Sequence, residues 1–337
     1  MMAASSLSMV RGQDSTRLLK RIVVSGLKQT NFYQRTVPSQ SLNKQLLQQL
    51  NAPSAGDAAR FFSGVQVKDY GGTGGLKTVS IRSLGAAQTG VMYDGITIAD
   101  AQSGQVDLGR YSSTFLQSID VYQANMPGTL LPARAFSSAS ILSINTQASQ
   151  YDKPTTWQTG IRSGSFGYLD AFAGAHFEPY NGLAISATVE GVSSDGDYPV
   201  TIENGNLSGK AKRNNGSIKS LQAELNMNRK FRDSSLLQLK AWGYDSKRGL
   251  PGAIIFFNDR SVQQLWNTDY FLQGKYKKEF NQATSLQLLG KFNHNYTRYA
   301  DPDFLNNSGG LDDRYRQSES YLSASLTQKL DRYISVD

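Results

Sequence analysis

From Thr155 onward, apolar and polar residues alternate with a period of two. Ile185, Ala187, Val189 and Gly191 interleave with Ala184, Ser186, Thr188 and Glu190. Leu221, Ala223, Leu225 and Met227 interleave with Gln222, Glu224, Asn226 and Asn228. Leu286, Leu288, Gly290 and Phe292 repeat the pattern against Gln287, Lys291 and Asn293, with Leu289 the exception. Successive side chains of a strand point to opposite faces, so each run has one apolar and one polar face. Eight runs are expected to be strands: about 156–164, 168–179, 182–192, 217–230, 234–246, 267–280, 283–297 and 317–330. Most are far longer than the mean strand of about 5 to 6 residues, as a tilted strand crossing a bilayer must be. Short connections at Phe166-Gly167, Asn181-Gly182, Asp233 and Asn281-Gln282 contrast with long ones at Ser193–Gly216, Lys247–Trp266 and Arg298–Arg316. Short turns on one side and long loops on the other are the pattern of an outer-membrane barrel.

The first half has a different texture. Leu42, Leu46, Leu47 and Leu50 give Ser41–Leu50 helical spacing. Ser54 has the character of an N-cap, with Asp57 three residues on and Ala58, Ala59, Phe61 and Phe62 following. Gly64 should end that helix and Val65-Gln66-Val67 begin a strand. Thr78–Ser83 and Gly90–Ile98 have β character, and Tyr93-Asp94-Gly95 offers the positive φ of a tight turn. Asp107–Leu116 reads as a short helix, Ser118–Tyr122 and Ala139–Thr146 as strands. This half is a mixed α+β unit.

Composition changes the picture in three places. The chain has 337 residues, room for two domains or one large barrel. A hydrophobic fraction of 39% and mean hydropathy of −0.42, with no run of roughly 18 apolar residues, exclude a helical membrane protein. A β-barrel needs only alternate apolar residues, and 17 Tyr with 15 Phe suit its interfaces. The net charge of +8 is scattered, Lys210–Arg213 and Lys275–Lys278 being the nearest things to runs, which argues against nucleic acid. With no cysteine there is no disulfide or thiolate metal site. Met1–Val10, apolar and rich in small residues, reads either as the stump of a signal peptide or as an unstructured start.

Catalytic chemistry finds little support. Gly71–Thr78, GGTGGLKT, has Leu76 where a phosphate loop needs Gly before Lys, and it precedes a strand rather than a helix. His176 and His294 are far apart in strand-like runs, which disfavours a triad or zinc site. Asp195-Gly196-Asp197 could hold calcium within the Ser193–Gly216 loop, although the spacing is not that of an EF-hand and a solvated turn suits it better. Asp94, Asp100 and Asp107 fit carboxylates that cap local amides.

One stretch is specific. Asp69–Gly104, with its GGTGG cluster, strand, IRSLG, strand and YDGITIAD, is followed by QSGQVDLGRY and SIDVY. That order resembles the plug domain of a TonB-dependent outer-membrane receptor, with the apical loops nearest those of cobalamin-type receptors. Ser165-Phe166-Gly167 and Arg248-Gly249-Leu250-Pro251-Gly252 also look like the family, Ser63-Gly64-Val65 departs slightly from its PGV after the short helix, and Phe136–Ser140 lacks its glycines. The resemblance implies a plug inside a barrel and a receptor with no covalent chemistry. It implies active uptake of a scarce nutrient (a metal chelate, a cobalamin-like compound or a glycan) driven by a TonB-type partner. It places the protein in the outer membrane of a Gram-negative cell, against its lipid, with a surface lipoprotein as an additional partner. Ile22-Val23-Val24 stands where the TonB box would be, and reads equally well as a first strand. By position, Tyr70, Thr73, Gln88, Gln102 and Ser103 in loops Asp69–Leu76, Gly85–Thr89 and Ala99–Gly104 are candidate ligand contacts. Arg82 and Arg110 are expected to be polar contacts between plug and wall.

The fold expected is thus an α+β plug domain followed by antiparallel transmembrane β-barrel strands. Residues 1–20 would be a signal remnant or flexible start, 21–150 the plug, and 151–337 the N-terminal part of the barrel. A closed barrel of eight strands is filled by its own side chains, while plugged transporters have about 22. Eight strands are then an incomplete wall, and the chain, ending on Tyr333–Asp337, is expected to be a fragment. A non-transporting surface receptor or adhesin is the alternative, and a soluble nucleotide-dependent enzyme, which needs a helix after Gly75, is a third.

Overall fold

The structure, a computed structural model, describes residues 38–100, 104–124, 126, 130–146, 155–253, 261–305, 309–331 and 334–336. Its first unit is built on a five-stranded sheet. The order is β1 (Ser39–Asn43), β6 (Leu116–Tyr122), β7 (Ser140–Thr146), β4 (Thr89–Tyr93) and β5 (Ile96–Ile98). β4 runs parallel to β7 and the other neighbours are antiparallel. A separate hairpin pairs β2 (Val65–Asp69) with β3 (Lys77–Ile81). Asp94 (φ 49°) and Gly95 (φ 85°) form the tight turn between β4 and β5, so the expected Gly90–Ile98 run is two strands.

Two short helices follow β1. α1 (Lys44–Leu50) starts later than its leucine spacing suggests, because β6 takes Ser39–Asn43 as an edge partner. Asn43 then caps it, its side chain accepting from Leu46 N at 2.9 Å. α2 (Ala55–Ala59) begins where expected. Ser54 Oγ accepts from Asp57 N at 3.2 Å and donates to the Asp57 carboxylate at 2.7 Å. The expected helix over Asp107–Leu116 is replaced by a single 3₁₀ turn, Leu108–Arg110. Its amides have other partners: Ser113 N donates to Pro53 O, and Ser112 bridges to Ser54. Leu42, Leu47, Ile81, Leu108, Ile119 and Ile144 lie in the apolar core these elements enclose.

The second unit is one antiparallel sheet. Its long strands are β8 (Thr156–Ser163), β9 (Leu169–Tyr180), β10 (Leu183–Ser194), β13 (Ile218–Lys230), β14 (Leu236–Gly249), β15 (Gln264–Glu279), β16 (Thr284–Asp301) and β17 (Leu311–Lys329). These match the eight strands expected from alternation, and a two-residue β18 (Ser335–Val336) adds to β17. The sheet is an open wall, with β8 at one edge and β18 at the other. Glu224, Asn226 and Asn228 face inward and are buried, while Leu221 and Leu225 on the same strand face out. No helix among the described residues is long and apolar enough to cross a membrane; the wall has strands of that length.

Two connections differ from expectation. The Ser193–Gly216 loop contains a hairpin of its own, β11 (Pro199–Asn204) with β12 (Leu207–Lys212). In it Asp197 pairs with Lys212 at 3.1 Å, while Asp195 packs beside Gly167. The short Phe166-Gly167 turn lies at the long-loop end, since Phe166 O accepts from Asp195 N at 3.0 Å and Gly196 N at 3.3 Å. Strand order requires this: β8 and β9 are joined at the end where β10 leaves for β13.

Candidate ligand mouth and plug–wall seam

The Tyr70–Leu76 loop joins β2 to β3 and stands near the long-loop end of the wall. Asp69 shapes it, its Oδ1 accepting from Gly71 N at 3.1 Å and Gly72 N at 2.8 Å. Arg60 anchors Asp69 at 2.5 Å, and Tyr70 N closes the loop on Leu76 O at 3.0 Å. Gly74, at φ 79°, lies so close to the wall that a Cβ there would collide with Ile218. Its carbonyl accepts from the Arg248 guanidinium. Only glycine permits both the dihedral and the approach. A small cavity of about 90 Å³ lies behind the loop, with Thr73, Asp57, Lys77, Arg110, Tyr168 and Arg248 among its walls. Lys77 Nζ contacts both Asp57 oxygens at 2.7 Å, and Lys77 opens β3 rather than a helix, so the phosphate-loop arrangement is absent here.

The five sequence-picked contacts separate. Tyr70 is exposed in this loop and Thr73 lines its cavity. Gln88 does not join them: it precedes β4 at the opposite end of β3, with its carbonyl accepting from Ala139 N. Gln102 and Ser103 lie outside the described residues, as do Ile22, Val23 and Val24. Arg110 makes the expected contact with the wall, pairing with Asp269 of β15 as well as with Asp107. Burial opposes its charge, and the two carboxylates outweigh that and raise its pKa. Arg82 does not reach the wall. It donates to Gln123 at 2.6 Å within the first unit, because the turn after β3 (φ 52°) directs it there.

The dominant feature is a seam of buried polar contacts that pattern reading did not locate. Lys240 of β14 lies 2.7 Å from both Asp94 and Glu224 and donates to Thr146 Oγ1 at 3.0 Å. Tyr93 donates to Glu224 at 2.5 Å, and Lys240 Nζ sits 4.4 Å from the Tyr93 ring centroid. Burial would raise the Asp94 pKa, but Lys240 together with the Thr146 amide and hydroxyl holds it below the ordinary carboxylate value. Burial and the neighbouring Glu224 push the Tyr93 phenol far up, so it stays a donor. Further along, Ser112 donates to Glu190 at 2.5 Å, and Arg162 reaches Thr114 at 2.7 Å. At the other flank Arg134 pairs with Glu319, which Lys291 also meets at 3.0 Å.

Aromatic rings stitch the middle of this seam. Tyr111 stacks on Trp242 at 5.1 Å, Trp242 on Phe271 at 4.9 Å, and Tyr93 meets Phe271 edge-on at 5.6 Å. Tyr93 and Tyr111 come from the first unit, Trp242 and Phe271 from the wall. The first unit therefore sits against the inward face of the wall, as a plug does in a lumen. Sequence offered one clue: Glu190, Glu224, Lys240 and Lys291 are charges in alternating strands otherwise half apolar.

Comparison with known proteins agrees. Residues 32–137 match the model of the TonB-dependent receptor plug domain. The vitamin B12 transporter BtuB of Vibrio cholerae serotype O1 is 26% identical over 159 residues, which are 47% of this chain and 25% of BtuB. The FrpB iron transporter from Neisseria meningitidis superposes with a TM-score of 0.68 at 10% identity, covering 89% of this chain and 47% of that one. The copper transporter OprC gives 0.64 at 13% identity over 92% of this chain and 44% of its own. These two likenesses are of fold, and the chain spans less than half the length of each protein. A plug domain by sequence, a polar seam by geometry and a wall similar in fold to these barrels point the same way: residues 32–137 match the TonB-dependent receptor plug domain, and the chain shares the fold of outer-membrane transporters with a plug and a barrel.

Proposed function

We propose that this chain is part of an importer that takes a scarce nutrient across the outer membrane, with a TonB-type protein supplying the work. The observation that carries the reading is the seam. A plug fixed by apolar burial alone would part from its wall only by exposing greasy surface to water. One held mainly by ion pairs and hydrogen bonds can exchange each contact for water as it moves. The nutrient would be a metal chelate, a cobalamin-like compound or a glycan; the likeness to BtuB makes cobalamin the first to try. Tyr70 and Thr73 are proposed ligand contacts at the mouth, and Gln102 and Ser103, outside the described residues, are proposed from the sequence. Residues 21–150 would act as the plug unit and 151–337 as wall.

The test uses the receptor expressed from its full reading frame, with and without residues 21–25. Uptake of radiolabelled cyanocobalamin, then of a ferric chelate, is measured alongside binding at the cell surface. Uptake lost with binding kept supports the importer. Uptake that persists without the segment contradicts energy coupling there, and binding with no uptake in either strain favours a surface receptor.

A further inference from the structure

The outward face of the wall carries a feature that import does not use. Strand register sets Lys219 opposite Lys247, Lys247 opposite Trp266, Trp266 opposite Arg298, and Arg298 opposite Arg314. Four cations and one indole thus form an unbroken row across neighbouring strands β13 to β17. Directly opposed residues share a face, and this row alternates with Ser246 and Asn267, which are buried against the inside. Arg316 lies on the same face two residues along β17, 5.6 Å from the Tyr296 ring.

Like charges set opposite each other in a sheet are destabilising. One pair is relieved within the protein: Asp312 accepts from both Arg298 and Arg314 at 2.9 Å. The Lys219–Lys247 pair is not. Among the described residues no carboxylate lies within ion-pair distance of either, and Lys247 has only the Trp266 ring at 5.4 Å. The nearby Asp245 accepts from Thr268 at 2.7 Å. Five basic residues face two acidic ones here, so the patch retains positive charge.

Its height on the wall says what would neutralise it. From Trp266 toward the short-turn end the outward residues of β15 run through Tyr270, Leu272 and Gly274 to Tyr276, ten positions on. At about 3.3 Å per residue and a tilt of about 40°, that is about 25 Å along the membrane normal, the height of a lipid-facing band. The row therefore stands at headgroup level in the leaflet on the long-loop side, where an indole also favours the interface.

We propose that this row binds the phosphate of an anionic lipid headgroup, with the lipid's chains lying down the apolar face that includes Leu239 and Leu272. Lys219, Lys247 and Arg298 would hold the phosphate oxygens. The test uses the receptor from its full reading frame in neutral detergent, offered phosphatidylglycerol or phosphatidylcholine of the same chains, with retained lipid counted by native mass spectrometry. Phosphatidylglycerol should be retained in preference. The Lys247→Gln/Arg298→Gln variant should lose retention by roughly tenfold or more, at about fivefold per cation near a membrane surface. Lys219→Gln/Lys247→Gln, which leaves the Asp312 trio intact, should lose a similar amount. Lys278→Gln, near the short-turn end, should change nothing, and heat-dependent gel mobility reports that each variant is folded. Equal retention of both lipids, or unchanged retention in both double variants, would overturn the proposal. So would complete displacement by millimolar inorganic phosphate, since that would make the row a free-anion site.

Discussion

The interior of the plug and the seam between plug and wall are both buried, yet they are made of opposite materials. Inside the plug, Ile81, Leu108, Ile119, Leu142 and Ile144 are almost wholly buried and apolar. Across the seam, Lys240, Glu224, Asp94, Arg110 and Asp269 meet as charges, with an aromatic stack in their midst. Apolar packing keeps its strength only while surfaces stay together, and it resists partial opening. Charged contacts depend on having every partner in place, and each can be replaced by water. The difference is that between a body that keeps its shape and a joint that can be undone.

The largest effect expected from breaking the joint is at Lys240. Lys240→Ala leaves Glu224 buried and Asp94 half-buried without their cation and should cost about 3 to 5 kcal/mol of plug docking. Denaturant-induced release of the plug reports this; a loss below about 1 kcal/mol would mean that the seam is already wet. Gly74→Val, which forces a branched side chain into Ile218 at a positive φ, should cost about 1 to 3 kcal/mol. Gly72→Ala faces open space at a similar φ and should cost about 1 kcal/mol. Comparable losses for the two would remove Ile218 from the explanation. At the small end, Glu279→Gln breaks only the exposed contact with Lys277 and should shift stability by less than about 0.5 kcal/mol.

Acid should separate the two regions as well. The Asp94 pKa in the folded state lies below its ordinary 3.8, so its contribution is complete above that value and fades as pH falls through the lower folded value. Asp120, in the plug sheet, goes the other way. Burial raises its pKa against the help of Ser41, Ser118 and Asn145, so protonation favours the fold as pH falls through that raised value toward 3.8. Asp94→Asn should therefore flatten the loss of docking below pH 4, and Asp120→Asn should not. The readout is plug release against pH for the three proteins.

Much of the architecture was legible in the chain. Alternation located all eight long wall strands, because a wall with lipid on one side and polar partners on the other imposes a strict period of two. Ser54 announced α2 because a cap is a local contact. The seam was not legible for the opposite reason. Tyr93 and Glu224 are 131 positions apart and Arg110 and Asp269 are 159 apart, and a polar residue facing a lumen looks like one facing water. Asp94 was read as a local cap; it does hold Thr146 N at 2.8 Å, and it also pairs with Lys240. Gln88 lies apart from Tyr70 and Thr73, and Arg82 turns to Gln123 rather than to the wall, because sequence order does not reveal which end of a hairpin a loop occupies. The β11–β12 hairpin escaped because its short strands lack a buried face.

The most direct test is hydrogen exchange on the intact protein, wild type against Lys240→Ala. If an apolar body is held by a polar joint, amides of β4 and β5 and of residues 108–114 should exchange about a hundredfold faster in the variant. The amides pairing β6 with β7 should keep their protection. A uniform rise across the plug would show that the seam and the core open together, and the distinction between them would fall.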